Sequence, residues 1–475
     1  MKIKKNVAIL LSLTSVLMLL VFLWWHWRLG MTRYFDVDEF AHLSWAYQMF
    51  SGRRPYIDFL FYIPPGFQVF LMPLFLLGGG VTPILAGRLV QFVLFVVLVE
   101  VTMLLFWIMR RSWVAILAGV ILAFLPLPFD KFLEIRPDTL AMIFAMLGMV
   151  FQIKKKWAVA GVCYGISLLI FPKVLPQVGV AIAVALFTKN VRPLLGGFVI
   201  PLSVFGLWAL TLGNLDQVIY SLTKLPVEAL KISQTFIMMP DLFFYPNTIF
   251  YGAPGWSTGL IVNHAIWILA IVVGAYRLVT PGKSWSEFLI ASTFFIHIFF
   301  YIQIVPLKHT QYLIPIAVYV AFYAADAVNL LWQKAKRNFI TITTFIIVIT
   351  VIEINFYRIF LSVNMPKLAW TNADTIRDMT TLFRMVPTSE YILDLTGQTI
   401  YYKHPFVACC IHFGQSAPYM TRPLPSLGEA LEKTSTKYIF EGGLKRTNTL
   451  LSIDQAYIVA HYLPHPAIGG LLVRR

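Results

Sequence analysis

YFDVDEFAHLSWAYQMFSGRRPYIDFLFYIPPG, residues 34–66, follows closely on the first strongly apolar run of the chain. It opens on an acidic cluster, Asp36-Val37-Asp38-Glu39, and passes through Ala41-His42, Gly52 and Pro55-Tyr56-Ile57-Asp58 to Pro64-Pro65. Carboxylates just outside a membrane helix are costly to hold near lipid, so they read as a functional site by default. That reading requires the flanking chain to span a membrane, and composition says that it does. Of 475 residues, 59% are hydrophobic and only 13% charged, with a mean hydropathy of +0.75. Soluble domains carry about 25% charged residues. The 39 Phe, 21 Tyr and 13 Trp suit long lipid-facing and interfacial surfaces.

A net charge of +16 raises nucleic acid as a partner. The basic residues, however, fall in short clusters between apolar runs, which is the positive-inside pattern, and no basic groove stands out. Nucleic acid is set aside. The three cysteines, Cys163, Cys409 and Cys410, are too few for a disulfide framework and read as buried small side chains. No Cys/His set has zinc-ligand spacing.

Lys2, Lys4 and Lys5 precede an apolar run from Val7 to Trp25. The run is longer than a signal-peptide core and no small-residue cleavage site follows, so it predicts an uncleaved first span. Further spans are expected near 83–109, 113–129, 138–153, 157–172, 174–188, 193–212, 260–279, 286–305, 310–332 and 338–361, about eleven in all. If they alternate, Arg110-Arg111, Lys154-Lys155-Lys156, Lys189 with Arg192, Arg277 with Lys283, and Lys334-Lys336-Arg337 all fall on the cytoplasmic side with the N-terminus. The outer face then receives the 27–82 loop, the 130–137 loop, the 213–259 loop and everything after about 362.

The expected fold is therefore a polytopic α-helical membrane protein with a small C-terminal α/β domain outside the cytoplasm. Residues 1–362 form the membrane domain, and its 27–82 loop carries a helix over Glu39–Phe50 and an interfacial helix over Phe67–Leu77. Residues 363–475 form the outer domain, with helices at Asn372–Met385 and Leu427–Lys433 and strands at Tyr391–Leu395, Lys437–Phe440 and Ala456–His461.

Asp38-Glu39, Ala41, Ala46, Gly52, Pro55-Tyr56, Asp58-Phe59 and Pro64-Pro65-Gly66 together resemble the first outer loop of the GT-C glycosyltransferases. Within that class the loop is most similar to the group of protein O-mannosyltransferases and aminoarabinose transferases. The likeness is closest over about residues 34–90, including Arg88, and extends to Arg136-Pro137-Asp138 and Lys308-His309-Thr310-Gln311-Tyr312-Leu313-Ile314-Pro315. It implies an enzyme that transfers a sugar from a polyprenyl-phosphate donor to a hydroxyl on a glycan, lipid or protein acceptor, outside the membrane. In a bacterial inner membrane this is cell-envelope or lipopolysaccharide modification. One departure is recorded: aminoarabinose transferases place a lysine immediately before the double proline, where this chain has Ile63.

The chemistry needs a base for the acceptor hydroxyl and cations for the departing phosphate. Asp38 matches the acidic position of the family and is the expected base, with Glu39 as helper. Asp36, and His42 one turn after Asp38, complete the acidic end; Asp38, Glu39 and His42 are also candidate ligands for a divalent cation. A helix-capping role for Asp36 or Asp38 stands beside the chemical one. Arg136 and Lys308 are the preferred phosphate cations, with Arg53, Arg54, Arg88, Lys173 and His309 also at or near the outer face. Asp138 is placed to orient Arg136 or to cap its own helix, and Tyr56 and Asp58 read chiefly as loop-shaping residues.

Three rivals stand. A transporter or flippase of lipid-linked sugars needs ionisable residues in mid-membrane, where Glu100 and Glu353 are the main examples and each is isolated. An O-antigen ligase or polymerase favours a large late outer loop, and a non-enzymatic scaffold leaves the acidic cluster without a purpose.

Overall fold

The computed structural model describes residues 2–231, 256–280, 284–305, 309–334, 339–409, 417–442, 446–466 and 468–475. Every one of the eleven apolar segments is helical. The helices of the first half are α1 (Lys2–Thr32), α2 (Val37–Phe50), α3 (Gly66–Leu71), α4 (Thr82–Arg110), α5 (Ala115–Phe124), α6 (Pro126–Phe132), α7 (Pro137–Ile153), α8 (Trp157–Ile170), α9 (Leu175–Phe187), α10 (Val191–Thr211) and α11 (Leu215–Leu230). Long apolar helices follow at Trp256–Val279, Trp285–Phe299, Ile314–Lys334 and Phe339–Asn364. Helix is the form such segments must take in lipid, because it satisfies every backbone N–H and C=O internally. The chain is an integral membrane protein.

Among the described residues, seven helices are long and apolar enough to cross a membrane, or eight if one bent pair is a single span. That pair, α5 and α6, was expected as one straight span over 113–129 and instead bends by 78°. Proline explains it. Pro126 cannot donate a hydrogen bond, and it pushes Leu125 to φ −44° and ψ 112°, out of the helical region. The bend turns Asp130, Lys131 and the following loop back towards α2. Three further expected spans are short, with 17 residues in α7, 14 in α8 and 13 in α9.

The helix Ile314–Lys334 runs through the centre, with Val318, Tyr319, Phe322 and Tyr323 fully buried. α8 and α10 cross so closely that a Cβ on Gly161 would lie 2.0 Å from the Leu194 carbonyl, and one on Gly197 1.9 Å from that of Ala158. Only glycine fits at such a crossing. At the far end of α4, Arg110 reaches Glu287 at 2.7 Å and Asp326 at 2.9 Å, and Asp326 also accepts from Arg277 at 2.7 Å. Asp326 is thus a buried carboxylate within the central helix, an ionisable group that the sequence analysis did not single out.

After Asn364 the chain becomes mixed. Four short strands, β1 (Ile392–Asp394), β2 (Tyr438–Phe440), β3 (Tyr462–Pro464) and β4 (Leu471–Arg474), form a sheet of order β1-β2-β4-β3. β1 runs parallel to β2; β4 is antiparallel to β2 and to β3. Helices Ala373–Met385 and Leu427–Lys433 lie as expected. Ala456–His461 is not a strand but belongs to the helix Ser452–His461, whose buried residues, Asp454 and Ile458, recur at the helical interval of four. The strand β4 had no counterpart among the expectations.

This segment packs against the α2 end of the bundle. Tyr34 N donates to Trp370 O at 2.8 Å, Asn372 N to Thr32 O at 2.9 Å, and Leu60 N to Val407 O at 2.7 Å. Tyr220 and Leu225 of α11 share a hydrophobic cluster with Leu393, Leu431 and Ile439. Cys409 is disulfide-bonded. Cys163 and Cys409 are both the buried side chains expected, and Cys163 is free. Cys410 lies outside the described residues.

Candidate active site

α2 starts where its sequence says it should. Asp36 is its N-cap, with Oδ1 accepting from Asp38 N at 2.9 Å, and Glu39 Oε1 accepts in return from Asp36 N at 2.8 Å. This reciprocal pair satisfies two otherwise unpaired donors and fixes the direction in which the helix leaves the membrane domain.

Glu39 is fully buried, and its carboxylate is held by three elements. Arg88, near the start of α4, donates to both of its oxygens, through Nε to Oε2 and through Nη2 to Oε1 at 2.6 Å. Ile135 N, in the loop between α6 and α7, donates to Oε2 at 3.1 Å. Arg88 also donates to the carbonyls of Gly30 and Tyr34 at the end of α1. Glu39 and Arg88 therefore tie α1, α2, α4 and the 133–136 loop at one point.

The same tie brings Arg136 to Asp38. Arg136 precedes Pro137, which holds it extended at φ −141° and ψ 146°. Its side chain is nearly buried, and Nη1 lies 2.9 Å from Asp38 Oδ2 and 2.9 Å from Glu134 Oε2. Nη2 donates to Gln311 at 2.6 Å, and Nε lies 3.6 Å from Asp138. Asp38 keeps 43% of its side-chain surface exposed, against 20% for Asp36. Burial alone would raise the Asp38 pKa, but Arg136 overrides it and holds the carboxyl below the usual range. Asp36 is likewise depressed: burial opposes, and Lys131, 3.1 Å away, prevails. Both are carboxylates at neutral pH.

Two further ion pairs complete the cluster. Lys173, just after α8, lies 2.7 Å from Asp138 and 4.0 Å from the Tyr312 ring centre. Burial pushes it down to about 8, with Asp138 pulling the other way. Lys131 donates to both oxygens of Glu134 at 2.9 Å. Glu134 is buried, and burial together with the nearby Asp36 charge raises it to about 7.

The other candidates are placed as follows. His42 is buried edge-on against Trp45 and Phe67, with Nδ1 bonded to Gln68 at 3.0 Å. Burial lowers it to about 4, so it is neutral. Arg54 and Asp58 pair at 3.0 Å on the exposed side of the 51–63 loop. Tyr56, at φ 70°, donates from its hydroxyl to Ile63 O at 2.8 Å. These three shape the loop. His309 lies within the field of the cluster: burial lowers its pKa first, and Lys131 and Arg136 lower it further against Asp38. Lys308 lies outside the described residues.

Asp38, Glu39 and His42 do not fit a metal site. Glu39 is committed to Arg88, the Nδ1 of His42 is bonded to Gln68, and Arg136 sits on Asp38. Among the described residues, no group of three or more His, Cys, Asp or Glu is arranged to hold a cation. Sequence reasoning missed Lys131 and Glu134, and held Gln311 only as part of the 308–315 motif. The one available signal was that the first two are charged residues in a short outer loop. Arg446, from the C-terminal segment, also reaches this field: burial lowers its pKa while Asp38 raises it.

No family model and no curated protein sequence matches the chain. Solved structures do. ArnT from Cupriavidus metallidurans in the apo state superimposes with a TM-score of 0.55 at 14% identity, over 94% of each chain. The oligosaccharyltransferase of Archaeoglobus fulgidus, tethered to an acceptor peptide, gives 0.54 at 10% identity, over 94% of this chain and 72% of the other. The archaeal oligosaccharyltransferase AglB from Archaeoglobus fulgidus, in complex with an inhibitory peptide and a dolichol-phosphate, gives 0.51 at 11% identity, over 97% and 74%. ArnT and AglB are both GT-C glycosyltransferases, and the chain has that fold.

Proposed function

We propose that the chain is a glycosyltransferase that moves a sugar from a polyprenyl-phosphate donor to a hydroxyl acceptor, with Asp38 as the base. One observation carries the reading. At the end of the bundle where the C-terminal segment docks, a half-exposed carboxylate, Asp38, stands 2.9 Å from the buried Arg136 and within the field of Lys131 and Lys173, which pair with the buried Glu134 and Asp138. The fold neighbours support the substrate class, since ArnT has been seen bound to undecaprenyl phosphate and AglB to a dolichol-phosphate.

The acceptor oxygen attacks the anomeric carbon as its proton passes to Asp38. The bond from that carbon to the phosphate oxygen breaks, and the polyprenyl phosphate leaves with the electron pair and one more unit of negative charge. Displacement from the face opposite the phosphate inverts the sugar. A base in position contributes about 10²–10⁴-fold in rate. Lys173, Lys131 and Arg136 are the cations for the departing charge, which they stabilise without reorganising. Asp36, Glu39 and Arg88 hold the frame. The reaction lies on the outer face of the membrane, and the segment after about residue 362 helps to hold the acceptor. The experiment is transfer of label from a panel of polyprenyl-phosphate sugars to envelope extract by protein in lipid. Wild type transfers; Asp38→Asn loses at least about 100-fold while still binding donor. Donor binding without transfer by wild type on any acceptor would replace the enzyme with a carrier of lipid-linked sugars.

A further inference from the structure

Glu134 occupies the centre of a chain of alternating charge: Asp36, Lys131, Glu134, Arg136, Asp38. Each link is short. Lys131 Nζ lies 3.1 Å from Asp36 and 2.9 Å from Glu134, and one nitrogen of Arg136, Nη1, lies 2.9 Å from both Glu134 and Asp38. The two end carboxylates keep 20% and 43% of their side-chain surfaces exposed, while that of Glu134 keeps 1%. A carboxylate that substrate cannot reach therefore shares its cations with the two that substrate can reach.

We infer that Glu134 is a positioning residue for the transfer: it holds Lys131 and Arg136 in place and offsets part of their charge, which keeps Asp38 basic enough to take the acceptor proton. The inference rests on the reading of Asp38 as base. Its physical content is a balance. Without Glu134, both cations act undivided on Asp36 and Asp38, which makes Asp38 a weaker base and the site a stronger anion trap. Glu134 faces Lys131 from α6, Arg136 from its own loop, Arg33 at 3.7 Å from the end of α1, and the Asp36 carboxylate before α2. The Tyr34 hydroxyl also lies in its field. A neutral Glu134 leaves this pocket with surplus positive charge; an ionised one comes close to balancing it.

The test is Glu134→Gln, with Glu134→Asp as a charge-preserving companion and thermal stability recorded for both. Three quantities are read: the plateau rate of transfer, the acid limb of its pH profile, and binding of undecaprenyl phosphate in nanodiscs. For Glu134→Gln the plateau falls about tenfold, the loss of rate that wild type shows as pH falls through about 7, where Glu134 takes up its proton, disappears, and above that pH the phosphate lipid binds several-fold tighter. Glu134→Asp keeps the limb and the affinity near wild type. Opposite signs for rate and binding are not what a loosened scaffold gives. Rate and binding falling together with stability, or an unmoved acid limb, overturn the inference. If wild type transfers no sugar at all, the function proposed above fails, and the binding arm still decides this one: Glu134→Gln must bind the phosphate lipid more tightly or the charge balance is wrong.

Discussion

One step along α2, from Asp38 to Glu39, takes a carboxylate from a solvent-facing position into a buried double contact with Arg88. Removing one partner of such a pair strands the other charge, which costs about 3–5 kcal/mol. Glu39→Gln is therefore expected to lose stability by that order in chemical denaturation. Glu39→Met with Arg88→Met is expected to lose less than Glu39→Gln alone, because neither charge is stranded. A residue that acted chemically would show the reverse pattern, losing transfer with stability intact. Lys173 gives the pH prediction. Burial holds it at about 8, so it carries its charge below that pH and sheds it above. If that charge holds donor phosphate, affinity for the phosphate lipid falls as pH rises through about 8. Lys173→Arg, charged throughout that range, abolishes the fall. A pH dependence that persists in Lys173→Arg would assign it to another group.

The crossing of α8 on α10 is where the fold leaves least room. A side chain at Gly161 or Gly197 would meet backbone of the facing helix, which has no flexible end to move aside. Gly197→Leu should lower stability by the upper part of the about 1–3 kcal/mol range for overpacking, or more. Its neighbour is the control: a Cβ at Gly196 meets nothing within 4 Å. Gly196→Ala should be neutral, or should stabilise by up to about 1 kcal/mol, since glycine is a poor helix former. Thermal unfolding in detergent reads both. The helices themselves were legible, because a run of about 20 apolar residues has few other outcomes. The break at Leu125-Pro126 was not, although proline carried the signal, because hydropathy stays high across it. β4 was illegible for another reason. Leu471–Arg474 becomes a strand by lying between β2 and β3, a pairing set by the tertiary fold. Glu134 was missed on similar grounds: only convergence of α1, α2 and α6 around one loop gives a lone charge its partners.

At the scale of the whole molecule, α4 sets the distance between two ends. From Arg88, paired with Glu39 next to Asp38 in sequence, to Arg110 in the Glu287–Asp326 network, it runs about 34 Å. The C-terminal segment docks at the Asp38 end, through Thr32, Tyr34 and Leu60. Asp38 and Asp374 therefore share one side of the membrane, and a probe of Asp374 reports the side on which chemistry occurs. The basic clusters argue that this side is outside. Asp374 is largely exposed, and Lys155 sits in the turn between α7 and α8 that carries the Lys154-Lys155-Lys156 run. Asp374→Cys should react with a membrane-impermeant thiol reagent in intact cells. Lys155→Cys should react only after permeabilisation, each measured against the unsubstituted chain. Labelling in the opposite sense would place Asp38 in the cytoplasm. A donor could then reach it from the inner leaflet, and the acceptor would have to be cytoplasmic too. Labelling of both sites in intact cells would mean that the bundle does not separate the two ends, and the positive-inside reading of its loops would have to be abandoned with it.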